Sequence, residues 1–198
     1  MSICGVLDQS ISPYLLAWVK QGDRMVCGII GPGTSRTLSS KWDSPLENSN
    51  VGNSGVADKA SDVTQATTSI TSISQFSSTQ IWQGNAPLKN VLNLIFIAQS
   101  NAVEEVMKPL QWLEEFASPE VNLTTPGGRI PGMVTINIGR KIIVANCVIE
   151  NIPIPLDKEK DKNGNLLRAE VQLDIQTKVM LSKKEGESIS NTWKTESW

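Results

Sequence analysis

The sequence contains no histidine. This excludes Ser-His-Asp and Cys-His catalysis, and it removes the commonest zinc ligand. The glycine-rich run from Gly28 to Gly33 lacks the Gly-Lys-Ser/Thr that a phosphate-binding loop needs. We therefore expect that the chain is not an enzyme and holds no cofactor.

Basic residues are also few, since 18 Lys and Arg face 20 Asp and Glu for a net charge of −2. This balance does not favour a nucleic-acid-binding protein. The longest apolar run, 91–98, is far too short to span a membrane, and the N-terminus lacks the features of a secretory signal. Cys4, Cys27 and Cys147 lie in apolar stretches without CxxC spacing, which indicates buried, reduced thiols.

Tryptophan is unusually frequent, with six residues against one tyrosine and three phenylalanines. Tryptophan is a favoured anchor at protein interfaces, although it is also a large core residue. We predict that at least two of the six serve an interface. The candidates are Trp42, Trp82, Trp112, Trp193 and Trp198.

The clearest structural pattern lies near the C-terminus, where apolar and polar residues alternate from Leu167 to Gln176. This alternation predicts a half-buried β-strand. The charged segment 157–165 before it contains Asn163-Gly164, a strong signal for a hairpin. Together these features predict an antiparallel β-structure.

One helix is predicted at about 101–117, after an apolar strand at 91–97. Asn101 and Glu104 have the spacing of a capping box, and Pro109 must kink the helix or begin a second one. Its predicted apolar stripe comprises Val103, Val106, Met107, Leu110, Leu113 and Ala117.

Further strands are predicted at 133–138 and 141–148, joined by a type II′ turn at Gly139-Arg140. The second of them is predicted to continue through 152–156, where Pro153 and Pro155 interrupt one edge. At the N-terminus the apolar stretches 14–19 and 25–30 suggest a hairpin, with a short helix from Pro13 as the alternative.

The chain divides into four predicted segments: N-terminal strands at 1–33, a long arm or loop at 34–80, a β-domain with the helix at 81–182, and a polar tail at 183–198. Ser and Thr supply 19 of the 47 positions of the arm. Such a composition is poor helix material, and loops of this length are usually functional or disordered.

Residues 159–170 approach the calcium-loop pattern of an EF-hand, with possible ligands at Glu159, Asp161, Asn163 and Glu170. An EF-hand needs a helix on each side of this loop, and the prolines before it and the alternating strand after it exclude both. We therefore predict no metal site and interpret the segment as a charged hairpin tip.

The order of elements over 80–182 resembles tail-tube-like proteins of contractile injection machines, especially the baseplate tube-initiator and adaptor proteins of myophages. The resemblance lies in Ile81-Trp82 before the apolar strand, the helix around Trp112, Gly139-Arg140, the charged tip, and the motif from Leu167 to Leu173. It implies an α+β fold that is mainly antiparallel β, a tail-tube-like β-sandwich or rolled barrel with one packed helix.

The resemblance also implies a structural virion protein that is assembled in the host cytoplasm. Its copies are expected to form a homohexameric ring between the baseplate hub and the tail tube. Its partners would be further copies of itself, the tail tube protein and the hub proteins, and DNA would pass without specific binding. The alternative is a monomeric β-barrel or sandwich that binds a small ligand or calcium through 157–170.

Overall fold

A computed structural model of the chain describes residues 1–6, 8, 10–43, 80–119 and 130–184. The described parts of Met1–Leu38 and Pro87–Trp198 form one compact unit, and those of Ser39–Ala86 form a second. Most of the predicted arm, 44–79, lies outside the described residues, as do Trp193 and Trp198 of the predicted tail.

Ten strands are described, of which β5 and β6 belong to the second unit. They are β1 (Ser2–Gly5), β2 (Leu16–Gln21), β3 (Arg24–Ile30), β4 (Ser35–Thr37), β5 (Ser40–Asp43), β6 (Ile81–Asn85), β7 (Pro87–Ile97), β8 (Val134–Ile138), β9 (Ile142–Asn151) and β10 (Arg168–Met180).

Six strands of the first unit close into an antiparallel barrel in the order β3–β2–β8–β9–β10–β7. The pairing of Ile29 with Ile95 and of Ile30 with Leu94 joins β7 back to β3. β1 lies parallel to β3, and β4 pairs with the other end of β7. The predicted class, mainly antiparallel β with one helix, is confirmed, and β2 and β3 of the predicted 1–33 segment belong to the same barrel as β7 to β10.

Strand β10 shows why this sequence forms a barrel. Ala169, Val171, Leu173 and Ile175 are almost fully buried, whereas the residues between them face outward. On β7, which pairs with β10 along most of its length, Phe96 and other alternate residues are buried in the same way. Because side chains alternate across a strand, one apolar face of each strand fills the barrel interior.

The hairpin predicted for the N-terminus is confirmed, and the short helix given as its alternative is also present, directly before the hairpin. A 3₁₀-helix at Pro13–Leu15 leads into β2, and β2 pairs antiparallel with β3 as a hairpin. Gly22 turns the chain between these strands with a positive φ of 57°. Glycine suits this position because it adopts positive φ without steric cost.

The turns of the C-terminal half differ from the predictions. Gly139 and Arg140 have φ values of 59° and 54°, which is the type I′ pattern rather than the predicted type II′. The charged tip forms the predicted hairpin, since Lys160 and Leu166 pair antiparallel. Only Gly164 there has a positive φ, however, so Asn163 and Gly164 do not form a two-residue turn. β9 ends at Asn151 and not at residue 156, because the prolines that follow lack the amides a ladder needs.

The helix consists of a π-helical turn, Val103–Met107, followed by α1 (Lys108–Ala117). Pro109 is the second residue of α1 and directly follows the π-helical turn, in which the amide of Lys108 donates to the carbonyl oxygen of Val103. A π-helical turn holds more residues than an α-turn, so it changes the helix phase. Val103 and Met107 of the predicted stripe are consequently 46% and 37% exposed, and Trp112 and Phe116 are buried instead.

Helix α1 packs against β1, β3 and β9. Gln21 Nε2 donates to the carbonyl oxygens of Phe116 and Gly132, at 3.2 and 2.7 Å. Arg24, just past the same β2–β3 turn, forms an ion pair with Glu115. The hairpin thus fixes the helix at its C-terminal half.

The start of the helix is held by Glu105 rather than by the predicted Glu104. Its carboxylate accepts hydrogen bonds from the amides of Gln99 and Ser100 and from the Ser100 hydroxyl, the last at 2.7 Å. Burial acts to raise the pKa of Glu105, but these hydrogen bonds outweigh burial and hold the pKa below its usual value. Asn101 Oδ1 accepts from the amide of Val103 at 3.0 Å, as predicted for a cap.

Replacing Glu105 with glutamine is expected to lower the free energy of unfolding by about 1 kcal/mol at neutral pH, because an amide oxygen accepts these bonds more weakly than a carboxylate. The folded state lowers the pKa of Glu105, so this stabilisation is present above the ordinary pKa of 4.5 and is lost as the pH falls through the lower folded value. Urea unfolding at several pH values should therefore show the difference from wild type shrinking below about pH 4.5.

The control is Glu104→Gln, which removes an exposed ion pair with Lys108 (2.7 Å) on the same turn. Such a pair contributes only about 0.3–0.5 kcal/mol. If Glu105→Gln and Glu104→Gln have equal stability at every pH, Glu105 does not hold the helix start in this way.

Candidate functional site

The tryptophans predicted for an interface differ in their exposure to solvent. Trp42 and Trp82 are 58% and 48% exposed, whereas Trp112 is only 8% exposed. Against the prediction, Trp112 packs in the core, with the charged ends of Arg24 and Lys108 at 5.4 and 5.6 Å from its ring centroid. Its place in the apolar face of α1 is the sequence signal that could have shown this.

Trp42 and Trp82 lie directly opposite each other on the two-stranded sheet of β5 and β6, the β5–β6 ribbon. Trp82 Nε1 donates to Ser40 Oγ at 3.0 Å and to Asn85 Oδ1 at 3.3 Å. These bonds satisfy the polar atom of the indole and fix its ring on the ribbon. The remaining ring surface is apolar and exposed.

A cross-strand aromatic pair stabilises a two-stranded ribbon, which has little other apolar contact. This explains the two tryptophans without any partner. It does not remove them from the surface, however, and exposed indoles are favoured anchors in interfaces. The β5–β6 ribbon is therefore the candidate functional site of the described residues.

The possible calcium ligands serve other contacts. Asp161 Oδ1 accepts from the amides of Asn163 and Asn165, both at 2.8 Å, and Asp161 Oδ2 accepts from Asn165 Nδ2 at 2.9 Å. The Asn165 side chain is the main cause that lowers the pKa of Asp161. Glu170 pairs with Arg168 on β10. Asp161 therefore holds a tight turn.

The described residues contain no cluster of three acidic or cysteine side chains that could hold a metal ion. Glu159 contributes to the tip through its backbone, whose carbonyl oxygen accepts from the amide of Leu167 at 2.8 Å. The structure thus does not bring Glu159, Asp161 and Glu170 together.

Cys4, Cys27 and Cys147 are buried and unpaired, as predicted. Burial raises the pKa of each thiol to about 12. A thiol with this pKa is protonated at neutral pH and is a poor nucleophile. The three cysteines therefore act as small apolar core residues.

A shallow cleft of ≈ 210 Å³, which the sequence does not predict, lies on the outer face of β7 and β10. Gly31, Pro32, Asn93, Glu170 and Gln172 contribute to its lining. Asn93 Nδ2 donates to the Pro32 carbonyl oxygen, and Glu170 is paired with a neighbour on its own strand. Asn93 therefore ties the loop after β3 to the barrel, and the Glu170 carboxylate is used within β10.

Among the described helices, none has the length and apolar character needed to cross a membrane. No protein-family model matches the chain, and no curated protein matches its sequence.

Proposed function

We propose that this chain is a structural, non-catalytic protein of a phage contractile tail. In this proposal copies assemble into a ring at the junction of the baseplate hub and the tail tube. The ring would template the first ring of the tube and line the DNA conduit. The protein would reach the virion after assembly in the host cytoplasm.

The observation that carries the proposal is the order of elements in the larger unit. An apolar strand (β7) leads into a helix, three further strands (β8 to β10) follow, and together with β2 and β3 these strands close a barrel on which α1 packs. This barrel with one helix is the fold implied by the resemblance of 80–182 to tube-initiator and adaptor proteins. The fold therefore supports a structural role.

The charge of the chain fits a conduit. Strong DNA binding depends on lysines and arginines that neutralise phosphates, and here 18 basic residues are balanced by 20 acidic ones. A ring of such subunits would let DNA pass without holding it. The tail tube protein and the hub proteins would be the neighbours on either side.

Two experiments test the proposal: imaging of phage particles, and microscopy of the assemblies that the purified chain forms with tail tube protein. An antibody against the purified chain should label one end of the tail tube on phage particles, and negative-stain microscopy of the chain mixed with tail tube protein should show rings with a central hole. The matched control is the tail tube protein alone.

Particles that carry no label would contradict the proposal. So would a chain that remains monomeric with its tail partners and whose melting temperature rises with added calcium, because a ligand that binds the folded state stabilises it. That second result would favour the calcium-binding alternative, and the variant Asp161→Asn should then abolish the rise.

A further inference from the structure

The β5–β6 ribbon is incomplete as a sheet. Within the described residues β5 and β6 pair only with each other, so each strand has one edge without a partner. All four residues of β5 are exposed. Isolated two-stranded ribbons are marginally stable, and an open edge offers backbone amides and carbonyls to a further strand.

The two edges are not equivalent. On β6, Gln83 has no partner opposite it, and the adjacent Gly84 has a φ of 131°. This extra residue forms a bulge, and bulges twist an edge and hinder further pairing. β5 has no such irregularity and no proline or glycine. The β5 edge is therefore the one open to a strand.

The charges of β5 indicate which strand fits there. Lys41 and Asp43 flank Trp42 and share the ribbon face opposite to it. If a second β5 pairs antiparallel with its centre at Trp42, each Lys41 lies directly opposite the Asp43 of the other copy. β6 has no charged residue, so a β5–β6 contact between copies would not gain this complementarity.

We infer that two copies of the chain associate through their β5 edges, in antiparallel register about a twofold axis at Trp42. The product is a four-stranded sheet in the order β6–β5–β5–β6. One face carries two Lys41–Asp43 pairs, and the other carries the two Trp42 rings side by side with a Trp82 ring on each outer strand. Opposite charges and aromatic rings in directly opposed positions stabilise antiparallel strands.

This contact is independent of the proposed function. A twofold contact uses the same surface on both copies and joins only two of them, so it cannot by itself build a ring. It could join two free chains or hold two rings together.

Charge exchange tests the register. Sedimentation velocity of the full chain should show a dimer that forms with rising concentration. Lys41→Asp or Asp43→Lys alone turns both ion pairs into repulsive pairs, so each should raise the dissociation constant at least about tenfold. The double variant, and an equimolar mixture of the two single variants, should dimerise again because every pair is restored.

The matched control is Lys158→Asp, an equal charge change at an exposed position of the 157–165 tip. It should leave the dimer unchanged. Higher salt should weaken the wild-type dimer through screening of the ion pairs. Circular dichroism of each variant should match that of the wild type, which shows that the variant is folded.

A wild-type chain that stays monomeric at all concentrations would overturn the inference, as would folded single variants that dimerise like wild type. Failure of the mixture to recover the dimer would exclude this register. Rings formed by a chain that shows no charge-dependent dimers would support the tail function and overturn this contact, whereas charge-dependent dimers without rings would do the opposite.

Discussion

Replacing Gly5 with alanine should cost about 4 kcal/mol or more of the free energy of unfolding, a loss rarely seen for one methyl group. Gly5 ends β1 with a φ of +105°, and a Cβ there would lie 2.0 Å from the backbone oxygen of Cys27. That oxygen accepts the amide of Val6 at 2.9 Å, so it cannot move without breaking the contact between β1 and β3. The methyl group therefore forces the two strands apart.

Urea unfolding followed by circular dichroism measures this loss, and Gly164→Ala is the matched control. Gly164 also has a positive φ, +87°, but nothing lies within 4 Å of its would-be Cβ. Its substitution should cost only the backbone strain, about 1–2 kcal/mol.

If β1 detaches instead of the whole barrel unfolding, the thiol of Cys4 should become accessible to a thiol reagent. In the wild type this thiol is buried, and burial raises its pKa to about 12. A Gly5→Ala variant with the stability of Gly164→Ala and with an unreactive Cys4 would contradict the close approach of β1 to β3.

The sequence predicted best those elements whose pattern is local. The alternation from Arg168 to Gln176 reports the buried face of β10 directly, because one face of that strand meets the core and the other meets solvent. Leu167, predicted for the same buried face, lies before the strand and is 38% exposed. The helix position followed from its apolar stripe and from Pro109. The π-helical turn was not predicted, because it depends on which backbone hydrogen bonds form at the start of the helix, and the pattern of apolar residues does not record these bonds.

Barrel closure could not be predicted, because it depends on pairings between residues distant in the chain. β1 lies parallel to β3, and β3 meets β7 through only two residue pairs. Asn90 and Asn137 illustrate the same limit: both side chains are buried and have no hydrogen-bond partner among the described residues, although their residue type predicts exposure.

The candidate site was predicted in part. Composition identified tryptophan as the residue type to follow, but it did not distinguish Trp112 in the core from Trp42 and Trp82 on the surface. The exposure of Trp42 and Trp82 depends on the pairing of β5 with β6, and residues 44–80 separate these strands in the sequence. Lys41 and Asp43 were missed because their significance depends on an open strand edge.

Phe96→Ala is expected to lower the free energy of unfolding by about 3–5 kcal/mol, the second-largest effect. Phe96 is fully buried on β7, and its ring spans toward β3, where a Cβ on Gly28 would lie 3.1 Å from Phe96 Cε1. Ile97→Ala is the control, because Ile97 is the next residue on the same strand but is 39% exposed on the opposite face. It should cost less than about 1 kcal/mol.

A double-mutant cycle shows whether Gly28 is glycine because Phe96 fills the space beside it. In the wild type, Gly28→Ala overpacks the interior and should cost about 1–3 kcal/mol. In the Phe96→Ala background the ring is absent, so the same substitution should cost clearly less and the two changes should not be additive. Additive losses, measured by urea unfolding of all four proteins, would mean that the Phe96 ring does not limit the space beside Gly28 and that Leu94, whose Cβ would lie 3.2 Å from the new methyl carbon, limits it instead.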